Sequence, residues 1–269
     1  MEFFVDTADL AQIEESYSWG LVDGVTTNPS LIKKAVAQLT AKGSKIGIAD
    51  YIVRILEVAD GDPVSLEVIG HTEEDMFRQG MLLYETFNSV AENVVVKIPV
   101  NPAMDDTAVA FDGLKVIKRL ADQGIPVNTT LIFTPEQALL AAKAGAAYVS
   151  PFAGRIDDEL RKMAGGPVDK TGYYPEDGDE SHHDHGIVSG VDLVAKCVEI
   201  MEIHELDHCR VLAASLRNPR QVRECALVGS HVATIPFEVL RLMGSHPKTV
   251  EGMRAFTADI VPEYARLFE

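Results

Sequence analysis

A lysine stands inside a run of branched aliphatic residues, Val94-Val95-Val96-Lys97-Ile98-Pro99. An amine held among apolar side chains is disfavoured as an ammonium, and the free amine attacks a carbonyl carbon to form a Schiff base. The competing reading is a lysine whose stem lies along apolar surface and whose head reaches water. Taken alone, Lys97 fits the second reading better; its neighbours in the chain reverse the balance. Glu67 sits in Val64-Ser65-Leu66-Glu67-Val68-Ile69, where a buried carboxylate is costly unless it is paired or moves a proton. Asp6 precedes Thr7-Ala8-Asp9, so it is either a proton acceptor or the cap of a following helix. Thr26 and Asn28 lie just before Pro29-Ser30, where a strand-to-helix turn alone would explain them.

These residues matter together only if the chain folds them onto one rim. Short β-rich runs at 2–5, 24–27, 65–69, 94–98, 127–132, 147–150, 210–214 and 232–235 alternate with helical patterns such as 72–89, 107–123 and 135–143. Several runs are apolar without strict alternation, as in parallel strands covered on both faces. Repeated βα units with short connections imply a parallel sheet, and eight strands imply closure into a single (β/α)8 TIM barrel spanning residues 1–269. An open doubly wound sheet is the alternative, but Asp6-Thr7-Ala8-Asp9 is no glycine-rich phosphate fingerprint. A Gly-, Pro- and acid-rich stretch at 163–186 reads as a long loop after the sixth strand, and 249–268 as one terminal helix.

In such a barrel the active site lies at the C-terminal strand ends. Asp6, Thr26, Thr27, Asn28, Glu67 and Lys97 end or close the first four runs, and Asn128-Thr129-Thr130 opens the fifth. Ser150-Pro151-Phe152, with Arg155 just beyond, ends the sixth, and Ser215-Leu216-Arg217-Asn218 ends the seventh. Arginine forks near the last strands of a barrel suit a phosphate, although paired surface arginines are a serious rival reading.

Composition narrows the partners. The 269 residues include 24 basic and 41 acidic side chains, a formal charge of −17. An anionic substrate must therefore be held by a local cluster of cations against the global field. With a pI near 4.8, the chain lacks the basic face that tracking nucleic-acid phosphates requires. Cys197, Cys209 and Cys225 have no zinc-ligand spacing, and so sparse and odd a set fits unpaired thiols in a reducing compartment. Met1-Glu2-Phe3-Phe4-Val5-Asp6 is no secretory leader, and no apolar run approaches the ~18 residues of a membrane span, so a cytoplasmic protein with no membrane partner is expected. His182, His183 and His185 fall in the long loop, where no helix or strand fixes their spacing for a metal.

Four blocks in combination resemble the transaldolase family, which includes small transaldolases and fructose-6-phosphate aldolases: Gly24-Val25-Thr26-Thr27-Asn28-Pro29-Ser30, Val95-Val96-Lys97-Ile98-Pro99, Tyr148-Val149-Ser150-Pro151-Phe152-Ala153-Gly154-Arg155-Ile156 and Ala213-Ala214-Ser215-Leu216-Arg217-Asn218. The resemblance runs from Asp6 to the last helix and implies a class I aldol mechanism in a (β/α)8 barrel, with neither metal nor cofactor. It implies that Lys97 forms the Schiff base with a ketose C2 carbonyl and that Asp6 takes the C4 hydroxyl proton. Glu67, with Thr130 and a shared water, would shuttle protons. Thr26, Asn28, Asn128 and Ser150 would contact the dihydroxyacetone unit or the amine; Arg155, Arg217 and Ser215 would hold the phosphate. The expected partners are sugar phosphates and further copies of the chain in a homo-oligomer.

Glutamate at 67 and phenylalanine at 152 are similar to the transaldolase branch, whereas the aldolases tend toward glutamine and tyrosine. Without a hydroxyl, Phe152 cannot help water protonate a dihydroxyacetone enamine, which favours transfer over cleavage. The reading is transfer from fructose 6-phosphate to an aldose such as erythrose 4-phosphate. Release of free dihydroxyacetone, or use of a non-phosphate anionic sugar, are the alternatives. The 163–186 loop departs from the short family members and brings Tyr173 and Tyr174 as expected walls of an acceptor site.

Overall fold

The computed structural model describes residues 1–41, 47–105, 108–167 and 169–269. In chain order the elements are β1 (Glu2–Asp6), α1 (Leu10–Ser18), β2 (Gly24–Thr26), α2 (Pro29–Ala41), α3 (Ile48–Ala59), β3 (Val64–Glu67), α4 (Glu73–Phe87), β4 (Val94–Pro99), α5 (Asp112–Ala121) and β5 (Val127–Ile132). They continue with α6 (Pro135–Ala144), β6 (Tyr148–Pro151), α7 (Ala153–Met163), α8 (Gly190–Ile203), β7 (Arg210–Ala213), α9 (Pro219–Leu227), β8 (Val232–Ile235), α10 (Phe237–Met243), α11 (Pro247–Ala258) and α12 (Pro262–Ala265). All eight strands pair in parallel and in sequence order, and β8 returns to β1 to close a (β/α)8 TIM barrel.

Strand side chains alternate between two faces. In β4, Val94, Val96 and Ile98 point outward and join the large core beneath the helices. Each such burial contributes about 1.5–3 kcal/mol. The intervening Val95 faces the barrel interior with Phe4, Tyr148, Leu212 and Val232. Phe4 meets Tyr148 edge-on, ring centroids 6.0 Å apart. Gly24 on β2 makes room for this plug: a Cβ there would lie 2.7 Å from the Phe4 ring. One layer up the same interior face carries Asp6, Thr26, Lys97, Asn128, Ser150 and Thr234. Register places Glu67 beside Lys97 and Lys97 beside Asn128 on adjacent strands.

Helix starts follow local sequence. The Thr72 hydroxyl accepts from the Asp75 amide before α4, and Thr134 with Gln137 forms a reciprocal cap ahead of Pro135 on α6. α5 begins at Asp112 rather than 107, and Thr107 lies outside the described residues. Beyond Met163, which ends α7, the described residues of the 163–186 stretch form a loop leading to α8, as expected, tied down by its own turns and by Arg161 Nη2 donating to the Gly172 carbonyl at 2.7 Å. The terminal stretch is not one helix. α11 ends at Ala258 and α12 starts at Pro262, because proline supplies no amide hydrogen and clashes with the preceding turn. Among the described residues, no helix is long and apolar enough to cross a membrane.

Candidate active site

Lys97 projects into the barrel, not into the helix layer and not toward water. It is 6% exposed, and its Nζ lies 3.2 Å from Glu67 Oε2 while donating to the Thr27 carbonyl at 3.2 Å. The snorkelling alternative is thereby excluded for this residue. Glu67 is accounted for by the same contact, a carboxylate paired at the amine rather than left unpaired in the wall.

A cavity of about 140 Å³ opens above the aromatic plug, with Lys97, Asp6, Thr26, Asn28, Asn128 and Ser150 in its walls. Phe152, Arg155 and Ser215 complete the part that the sequence anticipated. Asp6 does not cap α1; Asp9 does, accepting from the Ala11 amide at 3.0 Å. The Asp6 carboxylate instead accepts from the Thr26 hydroxyl at 2.8 Å. Burial pushes its pKa above the ordinary carboxylate range, opposed by the positive charge of Lys97 and by the Thr26 hydrogen bond. A carboxylate of raised basicity facing an amine is suited to accept a substrate proton. Asn28 serves both readings at once, since its Oδ1 accepts from the Leu31 amide at 3.0 Å while the residue lines the cavity. Opposite it, the Ser150 hydroxyl donates to Asn128 Oδ1 at 2.7 Å, and Asn128 Nδ2 donates to Ser65 Oγ at 3.1 Å.

Thr130 and Arg217 are not among the residues lining this cavity. Thr130 is buried in β5 and stands outside the cavity wall; the register slips between Thr129 and Ile132, where Leu131 takes a φ of 60°. Ser215 likewise adopts a φ of 60° as the chain leaves β7. Non-glycine residues in this region cost about 1–3 kcal/mol each and cluster at functional sites. Arg155 is exposed at the rim, its guanidinium carbon 5.2 Å from the centre of the Phe152 ring. Arg217 is turned onto Asp158, Nη1 to Oδ1 2.5 Å, one contact of a guanidinium that carries five donors.

Two contributors escaped the sequence reading. Thr234, on β8, lines the cavity and shares a 2.5 Å hydrogen bond with Thr26, and Ser65 orients Asn128. The signal for Thr234 was strand parity, two residues after inward-facing Val232. The loop tyrosines lie elsewhere: Tyr173 packs under Arg220, 3.3 Å from guanidinium carbon to ring centre, and Tyr174 packs on the core near Arg161. Neither lines the Lys97 cavity. His182 sits 3.1 Å from Asp179, His183 Nδ1 accepts from the Gly186 amide and His185 lies beside Asp184, so the loop's own turns engage all three.

Residues 3–267 match the family model for transaldolase/fructose-6-phosphate aldolase. A probable transaldolase of Aquifex aeolicus is 39% identical over 259 residues, covering 96% of this chain and 96% of its own length. Probable transaldolases of Rhodospirillum centenum and Prosthecochloris aestuarii are each 40% identical over 259 residues, covering 96% of this chain and 90% and 97% of their own lengths. With a buried lysine amine set between two carboxylates in a closed parallel barrel, and matches over nearly the whole length, this chain belongs to the transaldolase/fructose-6-phosphate aldolase family and is an enzyme of the transaldolase type.

Proposed function

We propose that the protein transfers a dihydroxyacetone unit from fructose 6-phosphate to erythrose 4-phosphate, giving glyceraldehyde 3-phosphate and sedoheptulose 7-phosphate. The observation that carries this reading is the Lys97 amine, 6% exposed, held 3.2 Å from Glu67 in a layer that also presents Asp6. Lys97 Nζ attacks the ketose C2 carbonyl, and the carbinolamine loses water with protons moved by Glu67, which Thr130 assists through a shared water. The resulting iminium draws electrons from the C3–C4 bond as Asp6 takes the C4 hydroxyl proton. That bond breaks, its electron pair becoming the C2=C3 double bond of an enamine on Lys97, and glyceraldehyde 3-phosphate leaves. Its C3 attacks C1 of the acceptor aldehyde, Asp6 returns its proton to the new alkoxide, and water hydrolyses the iminium. The iminium is the electron sink, so the steps as written draw on no metal or cofactor. Asn28, Asn128, Ser150 and Thr26 hold the hydroxyls; Arg155, Arg217 and Ser215 hold the phosphate.

Phe152 supports transfer over release. Its ring lies in the cavity wall 5.7 Å from Phe133 and brings no hydroxyl toward the enamine. The test is borohydride reduction in the presence of fructose 6-phosphate, followed by intact and peptide mass measurement. A reduced dihydroxyacetone adduct on Lys97, discharged by erythrose 4-phosphate, is expected. A folded protein that gives no adduct with this or any ketose phosphate would overturn the reading.

A homo-oligomer in a reducing cytoplasm forms part of the same proposal. The terminal segment supports it: Met253, Phe256, Tyr264, Leu267 and Phe268 are 60, 73, 56, 74 and 77% exposed, apolar surface that a second copy would cover.

A further inference from the structure

Asp157 is a buried carboxylate that the proposed chemistry leaves unused. It is 5% exposed on α7 and is not among the residues lining the Lys97 cavity. Its Oδ1 accepts from the Gly190 amide, the first residue of α8, at 2.7 Å. Its Oδ2 accepts from Gln221 Nε2 at 2.8 Å. Gln221, 4% exposed on α9, spends its other amide atom on the chain just outside the site, because Oε1 accepts from the Arg217 backbone amide at 2.9 Å. A carboxylate accepts only, whereas a carboxamide has one accepting and one donating end. Asp157 therefore dictates which way the Gln221 amide faces, and the amide in turn gives the Arg217 backbone its acceptor. The neighbouring Asp158 holds the guanidinium of the same arginine at 2.5 Å.

Close packing leaves this segment few other positions. A Cβ on Gly190 would run into the backbone of Ala153, and one on Gly154 into the Ser215 carbonyl oxygen and within 2.8 Å of Arg217 Nε. The starts of α7 and α8 and the segment entering α9 are thus in backbone contact around Asp157, and the polarity of one hydrogen-bond chain sets their register.

We infer that Asp157, through Gln221, is a positioning residue that presents Arg217 to the phosphate of the substrate. The inference rests on the reading of Arg155 and Arg217 as phosphate holders. It concerns substrate binding, not the Schiff-base chemistry.

Asp157→Asn tests it with almost no change in shape. The Asn amide would face the Gln221 amide donor to donor, or else force it to flip and leave the Arg217 amide without an acceptor. KM for fructose 6-phosphate should rise about tenfold, the scale of one hydrogen bond to a charged group. The turnover number should stay within about twofold, and trapping of unphosphorylated fructose on Lys97 should be unchanged. The double variant Asp157→Asn with Gln221→Glu restores the polarity of the chain, since the Asn amide donates to one carboxylate oxygen and the other accepts from Arg217. KM should recover.

Arg217→Ala separates the two levels. If it leaves KM for the phosphorylated ketose unchanged, the phosphate-holder reading falls and this inference with it. If it raises KM while Asp157→Asn does not, only the inference is overturned. An equal loss of turnover on phosphorylated and unphosphorylated donors, without recovery in the double variant, would show a merely structural role and overturn it as well. Should Asp157→Asn fail to fold, Gln221→Met, which keeps the Gly190 bond, must give the same rise in KM for the inference to stand.

Discussion

Replacing Asp6 with asparagine should separate proton transfer from covalent capture. The Thr26 hydroxyl donates to Asp6 Oδ1 at 2.8 Å, and an asparagine oxygen can accept that bond in the same place. What disappears is the carboxylate that burial has made more basic than an ordinary aspartate. Loss of a positioned general base costs about 10²- to 10⁴-fold in rate, or roughly 3–5 kcal/mol of transition-state stabilisation. Schiff-base formation at Lys97 needs no base at C4, so the borohydride adduct with fructose 6-phosphate should form while release of glyceraldehyde 3-phosphate falls by that factor. Stability should move the other way. A carboxylate whose folded pKa lies above its unfolded value contributes stability that is lost as pH rises through the folded pKa, so at pH 7 the wild type bears a cost that the variant lacks. The variant should therefore unfold no more easily at neutral pH, measured by urea titration. Turnover within fivefold of wild type, or an adduct lost together with turnover, would refute the assignment of Asp6 to C–C cleavage.

Other perturbations follow from the same geometry. Phe152→Tyr places a hydroxyl at the cavity wall and should shift partitioning about tenfold toward free dihydroxyacetone, measured as acceptor-independent release; an unchanged ratio would count against enamine protection. Gly154→Ala forces the Ser215 carbonyl aside and should cost about 1–3 kcal/mol in urea titration while raising KM for phosphorylated substrates; full stability would mean the contact gives way freely. Burial raises Asp157 from 3.8 to about 6 against the lowering effect of the Gly190 amide, Arg161 and Arg217. Its contribution to stability is full below the unfolded pKa and lost as pH rises through about 6, so the stability gap to Asp157→Asn should shift by about 3 kcal/mol in the variant's favour from pH 3 to pH 7. A constant gap over that range would contradict the raised pKa. Removing 247–269 should leave a monomer in sedimentation if the exposed apolar helices are the subunit contact; an oligomer that persists would place the contact elsewhere.

The alternation of β-rich runs with helical patterns was enough to specify the barrel, because hydrophobic period and turn chemistry are local properties. Thr134-Pro135 and Asn218-Pro219 announce their helices for the same reason, each side chain reaching only the next turn. The lysine at 97 was legible as an oddity among valines and isoleucine; its inward direction was not, until closure gave the strand an inside. Asp6 shows the limit most plainly. By sequence it was either a proton acceptor or a helix cap, and the choice depended on Thr26, twenty positions away and adjacent only across the sheet. Parity counted from Val232 reaches Thr234, but its partner Thr26 lies far off in the chain. Arg217 is aimed by Asp158 and Gln221, whose partnership with it depends on how α7 and α9 meet. Residue types and local periods thus determined what chemistry was available and on which elements. Which side chains meet across strands, and which charges spend themselves on one another before a substrate arrives, are long-range packing outcomes that only the closed barrel decides.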